Sequence, residues 1–498
     1  MTLALNLSGI QWSPQQRVIF AEVKHGEGNL VVEALAGTGK TTTAIEALNR
    51  LPRGQRALLC AFNKSIADEL EARAPRGVKV QTLHALGAGI LYRAWGRSPL
   101  DPRRPYRHLS MAVGEWRSER EGAPMLTPSV ERELAAVLSL CKSRLVESVE
   151  EIEHELMRAA ITLPSGVAIT DAAWMVARAL DLAVEQDGTT HYDDMVYVPA
   201  RLGLRGAQYD VVFVDETQDM SRAQLVLAQL ALKAGGRLVL IGDRHQAIYG
   251  WRGADTGSME RMTRELNATV LPLSITRRCP RSVVALAQRI VPAFEAAPDA
   301  PEGTVQTCPL SHVEWTEGDL VVSRLNAPLA RCALAAIRQG KRARIQGKEF
   351  AQVFRSWAGS FGARRVSDLL QVARAWVQTE LTKLTADEQD VAEDLLDRVA
   401  TLEALAEGCS TVEELFARLD KLFSDEGPGL LFSSTHRAKG MERDRVFVLA
   451  WTYKPDASEE GANLWYVAIT RAKRSLTLVT GPRPISDRIV LDALEFAR

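Results

Sequence analysis

The sequence has only six cysteines in 498 residues, Cys60, Cys141, Cys279, Cys308, Cys332 and Cys409, and none belongs to a C-x-x-C pair. That spacing argues against a zinc cage and against a disulfide framework, and for reduced thiols. Long apolar runs are missing: no stretch approaches the roughly 18 uninterrupted apolar residues of a bilayer-crossing helix. Residues 1–11 have neither a basic start nor a small-residue cleavage site, so no signal peptide, no membrane partner and a cytoplasmic location are expected. Excess charge is missing too, the formal net charge being −1. A protein that coats nucleic acid through bulk electrostatics is basic, so any such contact here has to be local, in a lined channel. Repeats and low-complexity runs are also absent.

What is present is an ordinary globular composition, 46% apolar and 25% charged, in a chain long enough for two to four domains. Short β-branched runs at 29–35, 56–62 and 78–82 alternate with helical patterns at 40–51 and 64–73. From about 91 to 192 strands vanish and charged helical patterns take over, with a Pro/Arg-rich junction at 98–108. Strand patterns resume at 209–214 and 237–241, and a further boundary falls near 271–276. Beyond it, 320–324, 342–345, 430–433, 445–449 and 475–479 read as strands, interrupted by an Ala/Leu/Glu-rich helical stretch at 349–424. The expected fold is therefore α/β, with two parallel-sheet domains that each carry one helical insertion.

Chemistry enters with Ala34-Leu35-Ala36-Gly37-Thr38-Gly39-Lys40-Thr41, which follows a strand pattern and opens a helical one. A phosphate-binding loop needs this context, because main-chain N–H groups and a helix N-terminus converge on the anion and glycine lets the backbone approach. Lys40 is then expected on the β- and γ-phosphates and Thr41 on Mg²⁺. Ala34 stands where the strict pattern has glycine. The apolar run Tyr209–Val214 ends in Asp215-Glu216, which suits a Mg²⁺-holding carboxylate followed by a general base for the attacking water. Downstream, Gln246 follows another buried-strand pattern, where an amide can sense the γ-phosphate. Tyr249, Trp251 and Arg252 come next and offer flat surfaces for unstacked bases. Taken alone, Trp251 reads more readily as a core aromatic.

The ordered set of motifs resembles the superfamily 1A helicases of the UvrD/Rep/PcrA type, over nearly the whole chain apart from the two insertions. Trp12-Ser13-Pro14-Gln15-Gln16-Arg17 looks like the adenine-reading Q motif, with Gln16 as its glutamine. Ala61-Phe62-Asn63-Lys64 and Gln81-Thr82-Leu83-His84 look like early strand-contacting motifs. His191-Tyr192-Asp193-Asp194-Met195 is similar to the D-F-D-D-L element, and Asp215-Glu216-Thr217-Gln218-Asp219 to the D-E-x-Q-D box. Ser433-Ser434-Thr435-His436-Arg437 through Glu442 resembles motif V, and Tyr466 through Lys473 resembles motif VI. The run Phe62 through Ala67 is also similar to compact F-box-helicase-like and phage members.

The resemblance implies two RecA-like domains divided as 1–92, 93–191 (first insertion), 192–275, 276–348, 349–424 (second, short insertion) and 425–498. It implies ATP and Mg²⁺ as cofactors, taken up between those domains. Lys40, Thr41, Asp215, Glu216, Gln246, Arg278 and Arg471 are the expected catalytic set, the two arginines stabilising charge on the γ-phosphoryl. Gln16, Ala36, Gly37, Thr38, Gly39, Thr42, Arg277 and Glu442 are expected to line the nucleotide, Glu442 near the ribose. Arg277 replaces the family's adenine-stacking aromatic, and a guanidinium can also stack. Phe62, Asn63, Thr82, His84, Tyr249, Trp251, Arg252, Thr435 and His436 are the expected contacts to single-stranded DNA or to single-strand/duplex junctions. The Q-x-I-Y-x-W-R-G-A form implies 3′-to-5′ movement, and a monomer working in repair, recombination or replication is expected. Two alternatives stay open: a translocase that strips bound proteins without processive unwinding, and a clamp that does not hydrolyse.

Overall fold

The computed structural model describes residues 11–159, 161, 163–248, 257–384, 389–425, 427–481 and 487–497. The chain divides into two compact units, Met1–Ala34 with Gly39–Leu273 and Leu35–Thr38 with Ser274–Arg498. Among the described residues no helix is long and apolar enough to cross a membrane.

In the first unit the apolar runs become β1 (Leu30–Ala34), β2 (Ala57–Ala61), β3 (Lys79–Thr82), β4 (Tyr209–Asp215), β5 (Leu232–Gly242) and β6 (Thr269–Leu273). They form one sheet in the order β3-β2-β4-β5-β1-β6, every pairing parallel. Parallel strands are connected by crossovers that cover both faces, so both faces are apolar. Helices α1 (Pro14–His25), α2 (Lys40–Asn49) and α3 (Lys64–Arg73) lie with Leu30, Val32, Leu59, Phe213, Val239 and Ile241 in one hydrophobic cluster. Helix α4 (Leu83–Trp95) shares the opposite cluster with Val31, Leu58, Cys60, Val212, Val214 and Leu240. Successive strand residues thus go to opposite faces, as the pleat requires.

The first insertion comprises α5 (Arg104–Ser118), α6 (Pro128–Arg144), α7 (Val149–Arg158) and α8 (Ile169–Ala183), and chain returns through α9 (Tyr192–Leu202). It has a hydrophobic cluster of its own, including Leu109, Trp116, Leu134, Leu138, Ile152 and Val176. A buried ionic cluster fixes it to the start of α9. Arg104 Nη1 lies 2.5 Å from Asp194 Oδ2 and Lys142 Nζ 2.6 Å from Asp194 Oδ1, all three side chains being almost completely buried. Burial opposes ionisation of Asp194, but Lys142 and Arg104 outweigh it and hold the carboxyl below its usual range. Helices α10 (Arg222–Leu230) and α11 (Ser258–Glu265) complete the unit.

The second unit begins with the short pair β7 (Ile275–Thr276) and β8 (Glu295–Ala296), separated by α12 (Arg281–Ala287). Its main sheet contains β9 (Thr304–Pro309), β10 (Leu320–Ser323), β11 (Ala343–Ile345), β12 (Leu430–Ser434), β13 (Arg443–Leu449) and β14 (Ala472–Thr480), ordered β11-β12-β10-β13-β14-β9 and again all parallel. Helix α13 (Asn326–Arg338) follows β10. The second insertion is α14 (Lys348–Gly359), α15 (Val366–Leu381), α16 (Gln389–Ala406) and α17 (Val412–Leu422). Unlike the first, it shares its core with the sheet: Phe354, Leu369, Leu402, Leu405 and Leu415 lie in one cluster with Val321, Phe432 and Leu449. The short α18 (Thr435–Ala438), α19 (Glu459–Ile469) and α20 (Arg488–Phe496) complete it.

The α/β class and the strand-poor stretches agree with the sequence reading. Two edge strands, β6 and β9, were not expected. Each is half-exposed and ends at or near a proline, so its pattern imitates a loop.

Candidate functional site

The first sheet is wholly parallel, so the carboxyl ends of its strands share one edge, where α/β folds place their ligands. The loop after β1 turns at Gly37 (φ 70°) and Gly39 (φ 86°), the left-handed region that glycine enters without strain. Gly39 is the N-cap of α2, and no side chain caps that helix. Its first N–H groups and the positive end of its dipole therefore suit an anion. Thr38 Oγ1 donates to Leu35 O at 2.8 Å, and Lys40 Nζ donates to Ala34 O at 3.2 Å, folding the ammonium over the loop. Thr42 Oγ1 accepts from Arg73 at 3.4 Å.

Thr41 Oγ1 lies 3.3 Å from Asp215 Oδ2 at the end of β4. Burial, then the adjacent Glu216 charge, push the Asp215 carboxyl up to about 6, against the pull of Lys40. A hydroxyl beside a buried carboxylate is a hard-oxygen donor set that fits a hydrated Mg²⁺. Glu216 has φ 54°, a left-handed conformation costing a non-glycine residue about 1–2 kcal/mol. Its N–H donates to Asp215 Oδ1 at 2.9 Å.

Gln16 acts as part of a capping box, accepting from Ser13 N at 3.0 Å, while its Nε2 donates to Thr43 Oγ1 at 2.9 Å. The predicted Q-motif glutamine thus ties α1 to α2. Gln246, buried after β5, donates to Asp243 Oδ2 at 2.6 Å. The loop after β1, Asp215, Glu216 and Gln246 thereby meet at the ends of three adjacent strands.

The expected strand contacts of this unit follow β2 and β3, farther along the same edge. Phe62 is 41% exposed, a large aromatic presented to solvent. Asn63 and Thr82 also have local duties, as N-caps of α3 and α4 accepting from Ile66 N at 2.9 Å and Ala85 N at 3.0 Å. His84 sits in the first turn of α4, where burial lowers its pKa against the opposite effect of Asp193. Tyr249, Trp251 and Arg252 lie outside the described residues.

In the second unit the candidates split between opposite edges of the sheet. Glu442 and Arg471 immediately precede β13 and β14, whereas Thr435 and His436 follow β12. Arg278 Nε donates to Glu442 Oε2 at 2.6 Å. Burial disfavours the Glu442 charge, but Arg278 more than offsets this and lowers its pKa. Arg471 is almost fully buried and donates to Val467 O, Met441 O and Thr470 Oγ1 at 2.7, 3.3 and 3.0 Å. Arg277 is exposed. Thr435 is placed differently from its expected role at the surface. It is fully buried, its hydroxyl 2.6 Å from Tyr453 Oη and 3.2 Å from Ser323 O, so its side chain is not presented to a ligand, whereas His436 is partly exposed.

Sequence reasoning gave no role to Gln218 or Asp243, which bridge Glu216 and Gln246. Gln218 was visible within its motif, but its partner lies 25 positions on, and no spacing rule joins them.

A glycine-turned loop on an uncapped helix, facing a buried acidic strand end, defines a P-loop nucleotide-binding fold. Residues 12–267 match the family described as UvrD/REP helicase N-terminal domain, and 429–479 match the UvrD-like helicase C-terminal domain. The chain belongs to the UvrD/Rep helicase family. It is similar to F-box DNA helicase protein 1 of Schizosaccharomyces pombe, 24% identical over 94% of this chain and 57% of that protein. It is also similar to ATP-dependent DNA helicase Rep of Escherichia coli, 23% identical over 46% and 35%, and to ATP-dependent DNA helicase PcrA of Staphylococcus epidermidis, 26% identical over 47% and 34%. The chain spans about half the length of the curated relatives it matches.

Proposed function

We propose that this protein is an ATP-driven motor that moves 3′ to 5′ along single-stranded DNA and opens duplex ahead of it. The observation that carries the reading is the meeting of the phosphate loop with Asp215, Glu216 and Gln246 at one sheet edge, in a chain of this family. Lys40 and the N-terminus of α2 hold the phosphates, and Thr41 with Asp215 hold Mg²⁺, which when bound offsets phosphate charge. Glu216 orients water and takes its proton. Gln246 senses the γ-phosphate. Arg278 and Arg471 supply the guanidinium charge that the transferring phosphoryl requires, and Glu442 exchanges Arg278 for the ribose. Gln16 and Arg277 serve the base, and Ala36, Gly37, Thr38, Gly39 and Thr42 the phosphates. Phe62, Asn63, Thr82, His84, Tyr249, Trp251, Arg252 and His436 contact the strand, stacking and polar groups giving affinity without sequence preference. Residues 93–191 and 349–424 act as insertions that tune unwinding.

A translocase that displaces bound proteins without separating strands is the second reading. It is favoured by the merging of α14–α17 into the core of the second unit, which leaves that insertion little independence.

The test is the steady-state ATPase rate with and without single-stranded DNA, Lys40→Ala serving as blank. Strong stimulation by DNA, reduced at least about 10²-fold in the variant, is expected. A rate unmoved by DNA overturns the reading of a strand-coupled motor. Tailed duplexes then separate the two readings and fix polarity.

A further inference from the structure

The end of β4 and the end of β5 are joined by more than their sheet pairing. Thr217, fully buried, donates its hydroxyl toward both Val214 O and Ile241 O at 3.0 Å. Beside it the Gln218 side chain, also fully buried, makes two bonds of opposite sense. Its Oε1 accepts the main-chain N–H of Asp243 at 2.9 Å, and its Nε2 donates to Glu216 Oε2 at 2.5 Å. The main-chain donor fixes which way the amide faces: oxygen must point to Asp243, so nitrogen must point to Glu216. Asp243 in turn accepts from Gln246 Nε2. An unbroken path, Glu216–Gln218–Asp243–Gln246, therefore links the carboxylate read as general base to the amide read as phosphate sensor.

The backbone is shaped for this path. A Cβ at position 242 would lie 2.7 Å from Gln218 Oε1 and 3.1 Å from Gln218 N, so any larger residue there would force the amide to shift. Glu216 is held left-handed, a local strain that persists where surroundings over-determine it. A buried amide needed only for packing could satisfy both of its ends on main chain. This one places its donor on a carboxylate, which orients that group.

We infer that Gln218 is a positioning residue: through Asp243 it holds the Glu216 carboxylate in register with Gln246, so that base and sensor move as one unit. The inference rests on the reading of Glu216 as general base, and the experiment keeps the two separable. Gln218→Glu is nearly isosteric and keeps the acceptor for Asp243 N–H, but loses the donor to Glu216 when ionised. Single-turnover ATP hydrolysis is measured with single-stranded DNA at neutral pH, alongside binding of a fluorescent ATP analogue and thermal melting. The expected result is a hydrolysis rate lowered by on the order of 10- to 100-fold, with analogue affinity and melting close to wild type. Gln218→Ala is expected to show the same lowered rate. A wild-type rate in Gln218→Glu overturns the inference, and so does a loss confined to analogue binding or melting. If Lys40→Ala hydrolyses normally, the assignment of the nucleotide site falls instead, whatever the Gln218 variants do.

Discussion

Two of the helix N-termini that follow parallel strands in this protein, one from each sheet, are completed in opposite ways. In the first unit α2 starts from Gly39, without a side-chain cap and with Lys40 as its first residue. In the second, α13 starts at Asn326, and the Asp397 carboxylate reaches it from α16 of the insertion. Asp397 accepts from Asn326 N at 2.7 Å and from Ala327 N at 2.9 Å, and lies buried. Glu393, one turn earlier, pairs with Arg324 and with Lys454. Both junctions concentrate unpaired N–H groups and a positive dipole end. One is completed by the protein's own carboxylate. The other carries no side-chain cap among the described residues. Among the described residues the first junction thus combines a glycine turn with a helix start that no side chain caps, while the second is closed by a side chain from an insertion.

The sharpest way to break this comparison is to remove the internal anion. Asp397→Ala should destabilise the second unit by about 2–4 kcal/mol in denaturant titration, because two buried donors lose their acceptors. Sulfate should recover part of that loss in the variant and none in the wild type. An unchanged melt would mean that Asp397 does not hold the junction. Next in size, Asp215→Asn should stabilise the ligand-free protein at neutral pH by on the order of 1–3 kcal/mol while stopping hydrolysis. The sign follows from the raised carboxyl, about 6 folded against 3.8. Its protonated form favours the fold below about pH 4, and that contribution is lost as pH rises through about 6. The gap between variant and wild type should therefore open between those values and stay level above them; a gap independent of pH would remove burial of charge as its cause. The smallest effect is expected at the other support of α2. Gln16→Ala loses the bonds to Ser13 and Thr43 and should cost about 1 kcal/mol in a melt, with weaker nucleotide binding if the glutamine also reads the base.

The two insertions carry a parallel lesson about legibility. Both were visible as strand-poor, charged stretches, because a helical period leaves its mark in sequence. That one has its own core and the other shares the sheet's core was not visible. Leu402 and Leu405 in α16 have the same spacing whichever hydrophobic surface receives them. Edge strands were harder to read than central ones for a related reason. In β4, buried on both faces, Val211 to Val214 form an unbroken apolar run, while β9 alternates polar residues toward solvent.

Sequence by itself determined the α/β class, the phosphate loop and the acidic strand end, since each depends on residues adjacent in the chain. Local caps such as Ser13, Asn63 and Thr82 are of the same kind, their partners lying three residues away. Tertiary structure alone decided that Gln218 bridges Glu216 to Asp243, that Asp397 fills the start of α13, and that Thr435 turns inward to Tyr453. The physical reason is range. A helix period or a glycine turn is written in consecutive residues, whereas a buried polar group finds its partner only when strands far apart in sequence are brought side by side.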